Sequence, residues 1–301
     1  MRAFLFPGQG SQYVGMARDF YEADPPSREL IQKADALLGV PLSAVCFTGP
    51  EDELRQTRNT QPAIFLHSIL VARKLPSVKP DMLAGHSLGE YSALVSAGAI
   101  AFEEALRLVR LRGELMQRAG ELQHGTMAAI VGLSGDDLQS VCDAASSAGI
   151  VQPANFNSPG QTVISGSVPG VRRAMEIARE RGAKLVKELV VSGAFHSPLM
   201  ETACNGLKEA LDAARIVDGS VPVYSNVTAE PVTEASEIRE LLYRQLTSPV
   251  CWDQLIKNMI RDGAVQFTEI GPGKVLQGLM RRIDPGIRTN GFDKLTDLPT
   301  G

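Results

Sequence analysis

Apolar runs that end in a glycine-containing turn and pass directly into helical spacing recur along this chain. Ala3 to Phe6 is one, and Met82 to Ala84 is another. Each reads as strand, turn, helix. Val221 to Ser225 and Val265 to Ile270 read as further strands, and helical stretches intervene, notably Phe102 to Arg118 and Leu199 to Ala214. Strands alternating with helices predict a largely parallel sheet covered on both faces.

The middle of the chain follows a different plan. Met127 to Val131 reads as a strand. Ser134 then opens a helix with Asp137 three residues on, and Leu138, Val141, Cys142 and Ala145 share one face. Ile150 to Ala154 and Thr162 to Ser165 read as two strands around the turn-forming run Asn157-Ser158-Pro159-Gly160. A second helix carries Val171, Ala174, Met175 and Ala178 on one face and ends at Gly182, and Leu185 to Val191 closes the set as a strand. The order βαββαβ is that of a ferredoxin-like unit. The expected organisation is therefore an α/β fold in two parts. A large α/β-hydrolase-like domain with a parallel sheet takes residues 1–123 and 192–301, interrupted by a small ferredoxin-like domain over 124–191.

Composition narrows the function classes. With 301 residues, 44% of them apolar, the chain can bury a large core. A net charge of -4 with both signs interspersed offers no stripe that would track a nucleic-acid backbone. The run Ala3 to Phe6 is too short for a signal-peptide core, and Ser92 to Phe102 falls short of the roughly 18 residues of a membrane span. A cytoplasmic protein with neither nucleic acid nor membrane as partner is expected. Cys46, Cys142, Cys204 and Cys251 show no paired spacing with one another or with a histidine, so they read as buried or inert thiols, with no disulfide framework and no metal site.

The first chemical motif is Gly85-His86-Ser87-Leu88-Gly89, between a strand and the apolar helical run Tyr91 to Ala101. A serine on such a tight turn exposes its hydroxyl at the end of the sheet, and small residues two positions to either side let the backbone turn sharply. The N–H groups at the following helix start, that of Leu88 included, can donate to an oxyanion; losing one such donor costs about 2.7 to 4 kcal/mol. A base must then come from His67, His86, His124 or His196. His86 should point away from its neighbour, His67 falls within the apolar helical stretch Ile64 to Ala72, and His124 lies at the domain boundary. His196, in Gly193-Ala194-Phe195-His196-Ser197-Pro198, sits where the chain returns from the small domain to the large one and can face the cleft between them. No acidic residue between Ser87 and His196 stands out as a third triad member, so an amide or a backbone carbonyl is expected to orient the base.

Arg110 and Arg112 lie two positions apart in an otherwise apolar helical stretch and point to nearly opposite faces, one toward solvent and the other inward. An inward guanidinium needs a partner, and a bidentate carboxylate suits its geometry. The glycine-rich start is not a dinucleotide loop, because Tyr13 stands at the third glycine of that fingerprint. Nor is Gly273-Lys274 a P-loop, since Val275 replaces the required Ser or Thr and position 268 is Thr268.

Seven motifs distributed along the chain resemble those of one family. They are Phe6-Pro7-Gly8-Gln9-Gly10-Ser11-Gln12, Thr60-Gln61-Pro62-Ala63, Gly85 to Tyr91, Arg112-Gly113, Ala194-Phe195-His196, Ser225-Asn226-Val227 and Glu269-Ile270-Gly271-Pro272-Gly273. The chain resembles the malonyl-CoA:acyl carrier protein transacylases and the related acyltransferase domains of fatty-acid and polyketide synthases. The resemblance implies Ser87 as acyl-bearing nucleophile, His196 as its base, Gln245 as the group orienting that base, and the N–H groups of Gln9 and Leu88 as the oxyanion hole. It also implies that Arg112 binds the free carboxylate of malonate, that Phe195 crowds a branch at the acyl carbon, and that Gln61 belongs to the substrate-binding set. Malonyl-CoA and an acyl carrier protein are the implied partners, with no metal or redox cofactor, and Arg172-Arg173 or Arg281-Arg282 are candidate docking points for an acidic carrier. The alternative is a carrier-thioester hydrolase using the same Ser87 and His196, and a non-catalytic carrier-binding subunit is a third reading. Arg112 discriminates against the first, because hydrolytic removal of wrongly loaded acyl groups needs no carboxylate clamp.

Overall fold

A computed structural model describes residues 1–75 and 79–298. Its six-stranded sheet comprises β1 (Arg2–Phe6), β2 (Met82–Gly85), and then β7 (Val223–Tyr224), β8 (Pro231–Val232), β9 (Gln266–Ile270) and β10 (Thr289–Phe292). The intervening β3 (Gly125–Val131), β4 (Val151–Ser158), β5 (Gln161–Ser167) and β6 (Leu185–Glu188) make a separate four-stranded sheet.

The large sheet runs β10-β9-β1-β2-β7-β8. All its pairs are parallel except β7 with β8. The apolar run of β1 is uninterrupted because the sheet is buried on both faces. Phe4 and Phe6 enter one core with Phe65, Leu94 and Val109, while Ala3 and Leu5 enter a second with Trp252, Ile256 and Leu276. The alternation along a strand thus divides one hydrophobic stretch between two layers. Helices Thr57–Arg73, Gly89–Ser96 and Phe102–Leu122 cover the first face, and Trp252–Arg261 and Val275–Ile283 cover the second.

The small sheet is antiparallel throughout in the order β4-β5-β3-β6, which is the ferredoxin-like arrangement. Helices Gly135–Ala145 and Val168–Glu180 pack on one side of it, joining Leu138, Val141, Val171 and Ala174 to Ala128, Ile130 and Ile164. Ser134 caps the first helix as its spacing with Asp137 predicted, accepting from the Asp137 N–H at 3.1 Å. Two backbone bonds tie β4 to Val250, in the segment just before helix Trp252–Arg261: Phe156 N donates to Val250 O at 2.9 Å and Val250 N to Ala154 O at 2.8 Å.

Several boundaries differ from the sequence expectation. Asn157 and Ser158 belong to β4, so the turn shrinks to Pro159-Gly160, and β4 absorbs the extra residues through two register shifts. The helix after the elbow ends at Ser96 where Ala101 was expected, because Gly98 takes φ 74 and Ile100 pairs with Ile216. The strand expected over Val221–Ser225 contracts to two residues, and that over Leu185–Val191 ends at Glu188. Edge strands β8 and β10 carry no apolar alternation and were not predicted; Pro231 in β8 is tolerated because an edge need not donate. The helix expected from Leu199 begins as a short 3-10 turn and is α-helical over Glu201–Ala213.

The turn between β2 and the next helix is packed backbone to backbone. A Cβ at Gly85 would lie 1.9 Å from the Gly89 carbonyl carbon, and one at Gly89 would lie 2.1 Å from Phe6 O. Gly85→Ala and Gly89→Ala should therefore each lower the unfolding free energy by about 3 kcal/mol, the upper end for overpacked positions, read as a lower midpoint in urea denaturation.

Candidate active site

Ser87 occupies the tip of that turn with φ 51, in the left-handed region that costs a residue with a side chain free energy. Asn226 holds it there. The Asn226 Oδ1 accepts from the Ser87 N–H at 2.6 Å, and its Nδ2 donates to Gly85 O at 2.7 Å. This one buried amide closes the turn from the neighbouring β7–β8 connection. His196 also takes a left-handed backbone, with φ 57, and it is buried. Its Nε2 lies 2.9 Å from Ser87 Oγ, and its Nδ1 lies 2.8 Å from the main-chain oxygen of Gln245. A carbonyl can only accept, so Nδ1 carries the proton and Nε2 presents its lone pair to the serine.

Burial, and after it the Arg112 cation, pull the imidazole of His196 from its ordinary 6.5 down to about 3, against the opposing bond to Gln245. The imidazole is thus neutral across the physiological range.

Arg112 is 1% exposed. Its Nη2 donates to Ser87 Oγ at 3.1 Å and to Gln245 Oε1 at 2.9 Å, and its Nη1 donates to Gln61 Oε1 at 2.8 Å. These partners are a hydroxyl and two amide oxygens, none of them charged, and Nε has no partner among the described residues. The ring of Tyr91 lies under the guanidinium, 5.8 Å from its carbon. Burial lowers the pKa of the guanidinium, and nearby Tyr91 and Glu90 partly offset that.

Arg110, in contrast, is half-buried and fully engaged. Pro62 has no N–H for the carbonyl of Arg58, and Arg110 Nη1 donates to that oxygen at 3.0 Å while Nε pairs with Glu114. The expectation of a solvent-facing arginine is corrected here: Arg110 braces the proline-containing helix.

Gln9 and Leu88 border a cavity together with Ser87 and His196, and the backbone N–H of neither has a protein acceptor among the described residues. Leu88 stands at the N-terminus of helix Gly89–Ser96, so the helix dipole adds to its donor. The cavity has a volume of about 220 Å³. Gln61, Met116, Met127, Val163, Phe195 and Leu279 are among its walls, and these come from both sheets' surroundings. Apart from Ser87, His86, His196 and the amides of Gln9, Gln61, Asn155, Asn157 and Gln161, the side chains that line it are apolar.

Every predicted site residue converges here. Gln245 does so in an unforeseen way: its main chain touches His196, while its side chain bridges Arg112, Ser87 and Glu90. Asn226 and Glu90 were not singled out, although both stand inside motifs that were, and only their position in those motifs could have drawn attention to them. Of the other histidines, His86 bonds Asn157 at 2.8 Å, His67 is buried against the Asp293 main chain at 2.7 Å, and His124 is exposed. Cys46, Cys142 and Cys204 are buried free thiols and Cys251 is half-buried. Among the described residues no group of three or more His, Cys, Asp or Glu is placed to hold a metal ion, and no helix is long and apolar enough to cross a membrane.

The family model described as the acyl transferase domain matches residues 3–285. The chain belongs to that acyl transferase family. Among its relatives, the malonyl CoA-acyl carrier protein transacylase of Bacillus subtilis strain 168 is 49% identical over 290 residues, 95% of this chain and 92% of the relative. The solved malonyl CoA-acyl carrier protein transacylase of Coxiella burnetii superposes with a TM-score of 0.95 at 41% identity, over 99% of this chain and 96% of that one. A malonyl-transacylase solved in complex with its type II polyketide-synthase acyl-carrier protein gives a TM-score of 0.95 at 40% identity, over 99% and 97%. These two solved proteins share this chain's fold over nearly its whole length.

In the folded protein the ring of His196 should remain neutral at about pH 5, with Nδ1 protonated and Nε2 bare. Nitrogen chemical shifts of ¹⁵N-labelled histidine report this directly; a cationic ring at that pH would contradict it.

Proposed function

We propose that the chain transfers a malonyl group from malonyl-CoA to the phosphopantetheine thiol of an acyl carrier protein through an acyl-Ser87 enzyme. The observation that carries this reading is Arg112. A buried cation held only by neutral oxygens, 3.1 Å from the serine hydroxyl, is a poor structural ion and a good receptor for a carboxylate attached to the acyl group. The names of the relatives and the carrier complex of one of them support it.

In the proposed cycle Ser87 Oγ attacks the thioester carbonyl and its proton passes to His196 Nε2. The N–H groups of Gln9 and Leu88 hold the oxyanion, and coenzyme A leaves as a thiolate that takes the proton from His196. The carrier thiol then gives its proton to the same nitrogen and attacks the Ser87 ester, and Ser87 recovers a proton as the malonyl group departs. The scheme uses only groups of the chain and calls for no metal or redox cofactor. The main-chain oxygen of Gln245 orients His196, and Phe195, in the cavity wall beside it, disfavours a branched acyl group such as methylmalonyl. Residues 1–123 and 192–301 act as the catalytic domain and 124–191 as the inserted one, a division supported by the four-stranded sheet lying wholly within 125–188.

For the carrier, Arg281 and Arg282 are favoured over Arg172 and Arg173. They end the helix whose Val275, Leu276 and Leu279 border the cavity, and Arg282 donates to Gln161, also on its border. Arg172 and Arg173 are already paired with Glu188 and Glu176.

Brief incubation with malonyl-CoA should add a malonyl mass to the wild type and none to Ser87→Ala, and a phosphopantetheinylated carrier should remove and keep it. Arg112→Ala should lower malonyl loading about 100-fold, as for loss of about 3 kcal/mol from a buried charged pair. No adduct, or malonyl recovered only as free malonate, would defeat the transferase reading.

A further inference from the structure

Glu90 is a buried carboxyl that no step of the proposed cycle uses. It is 2% exposed and lies one helical turn beyond Ser87. Its Oε2 accepts from the Asn226 N–H at 3.1 Å and from Gln245 Nε2 at 2.8 Å. The second contact fixes the orientation of a carboxamide. An amide has one donating end and one accepting end, whereas a carboxylate only accepts. Because Nε2 is committed to Glu90 and to Ser87 O, at 3.0 Å, Oε1 is turned toward the Arg112 guanidinium. The reversed amide would set donors against donors at Arg112 and oxygens against oxygens at Glu90 and Ser87.

The spacing also has an electrostatic consequence. A carboxylate bonded directly to Arg112 would neutralise it and also occupy the donors that an incoming carboxylate needs. Placed one amide away, Glu90 in its ionised form offsets the buried positive charge while the three bonds that Arg112 makes go to neutral oxygens. Burial pushes the carboxyl up to about 7, and the Asn226 and Gln245 donors and the Arg112 charge oppose that rise.

We propose that Glu90 is a positioning residue that acts through the Gln245 carboxamide to aim Arg112 at the acyl cavity, and so sets the preference for an acyl group that bears a carboxylate. The inference rests on the malonyl reading above. A purely structural role would read differently: Glu90 also ties down Asn226 and hence the serine turn, and damage to that turn alone would slow every acyl donor alike.

The test compares loading of the full chain by malonyl-CoA and by acetyl-CoA, by intact mass over time, in wild type, Glu90→Ala and Glu90→Gln. The malonyl-to-acetyl ratio of kcat/KM should fall at least tenfold in Glu90→Ala. It should fall less in Glu90→Gln, whose side-chain oxygen can still accept from Gln245. In an Arg112→Ala background the same substitutions should change the ratio no further, since the two residues act on one interaction. An equal loss for both donors, or an unchanged ratio, in folded variants would overturn the inference, and Glu90→Gln decides if Glu90→Ala does not fold. A wild type that gains no malonyl mass would overturn the malonyl reading itself, and this inference with it.

Discussion

The close approach of backbone to backbone at the turn after β2 is the constraint on which the rest of the site depends. Glycines at 85 and 89 let β1, β2 and the helix starting at Gly89 meet with no side chain between them. That contact leaves Ser87 at a tip from which its side chain can only project off the end of the sheet, and its left-handed backbone is the cost. Asn226 offsets that cost by bonding across the turn on both sides of the serine. The hydroxyl, the free N–H of Leu88 and the helix dipole are thereby aligned before any ligand arrives.

Charge in the site is arranged with similar economy. The same cation that the proposed function assigns to the acyl carboxylate also helps hold His196 unprotonated, so on that reading one buried arginine serves both recognition and the state of the base. Among the described residues no acid is bonded to His196; the main-chain oxygen of Gln245 fixes the tautomer instead. A carbonyl carries no full charge, and with Arg112 close by the imidazole remains neutral until a proton is delivered to it by a reacting hydroxyl or thiol.

Much of this was legible in the sequence because it is local. The elbow, the strand before it and the helix after it lie within twenty residues, and the βαββαβ unit declares itself through periods of two and near four in succession. His196 could be chosen from only four histidines by where the chain returns to the large sheet. The Gln245 side-chain bridge was hidden, because its partners Arg112 and Glu90 lie 133 and 155 residues away and no period connects them. Edge strands β8 and β10 were equally hidden: a strand of two residues, or one half-buried throughout, leaves no alternation to detect. Arg110 misled for a related reason, since its partner is a carbonyl that only a proline four residues further on sets free.

The stitch between Val250 and β4 has a mechanical meaning. His196 is carried on the segment that leaves the small sheet, its own oxygen is held by Gln152 of β4, and its ring is held by the segment just before Val250. The base therefore hangs from a joint, with the serine fixed on one side of it and the small sheet on the other. Movement of β4 away from the Val250 segment would pull on His196 from both of its attachments, and the two backbone bonds at Val250 resist that movement. In such a joint, stiffness is a chemical property: the distance over which a proton must move is set by how well two segments are fastened.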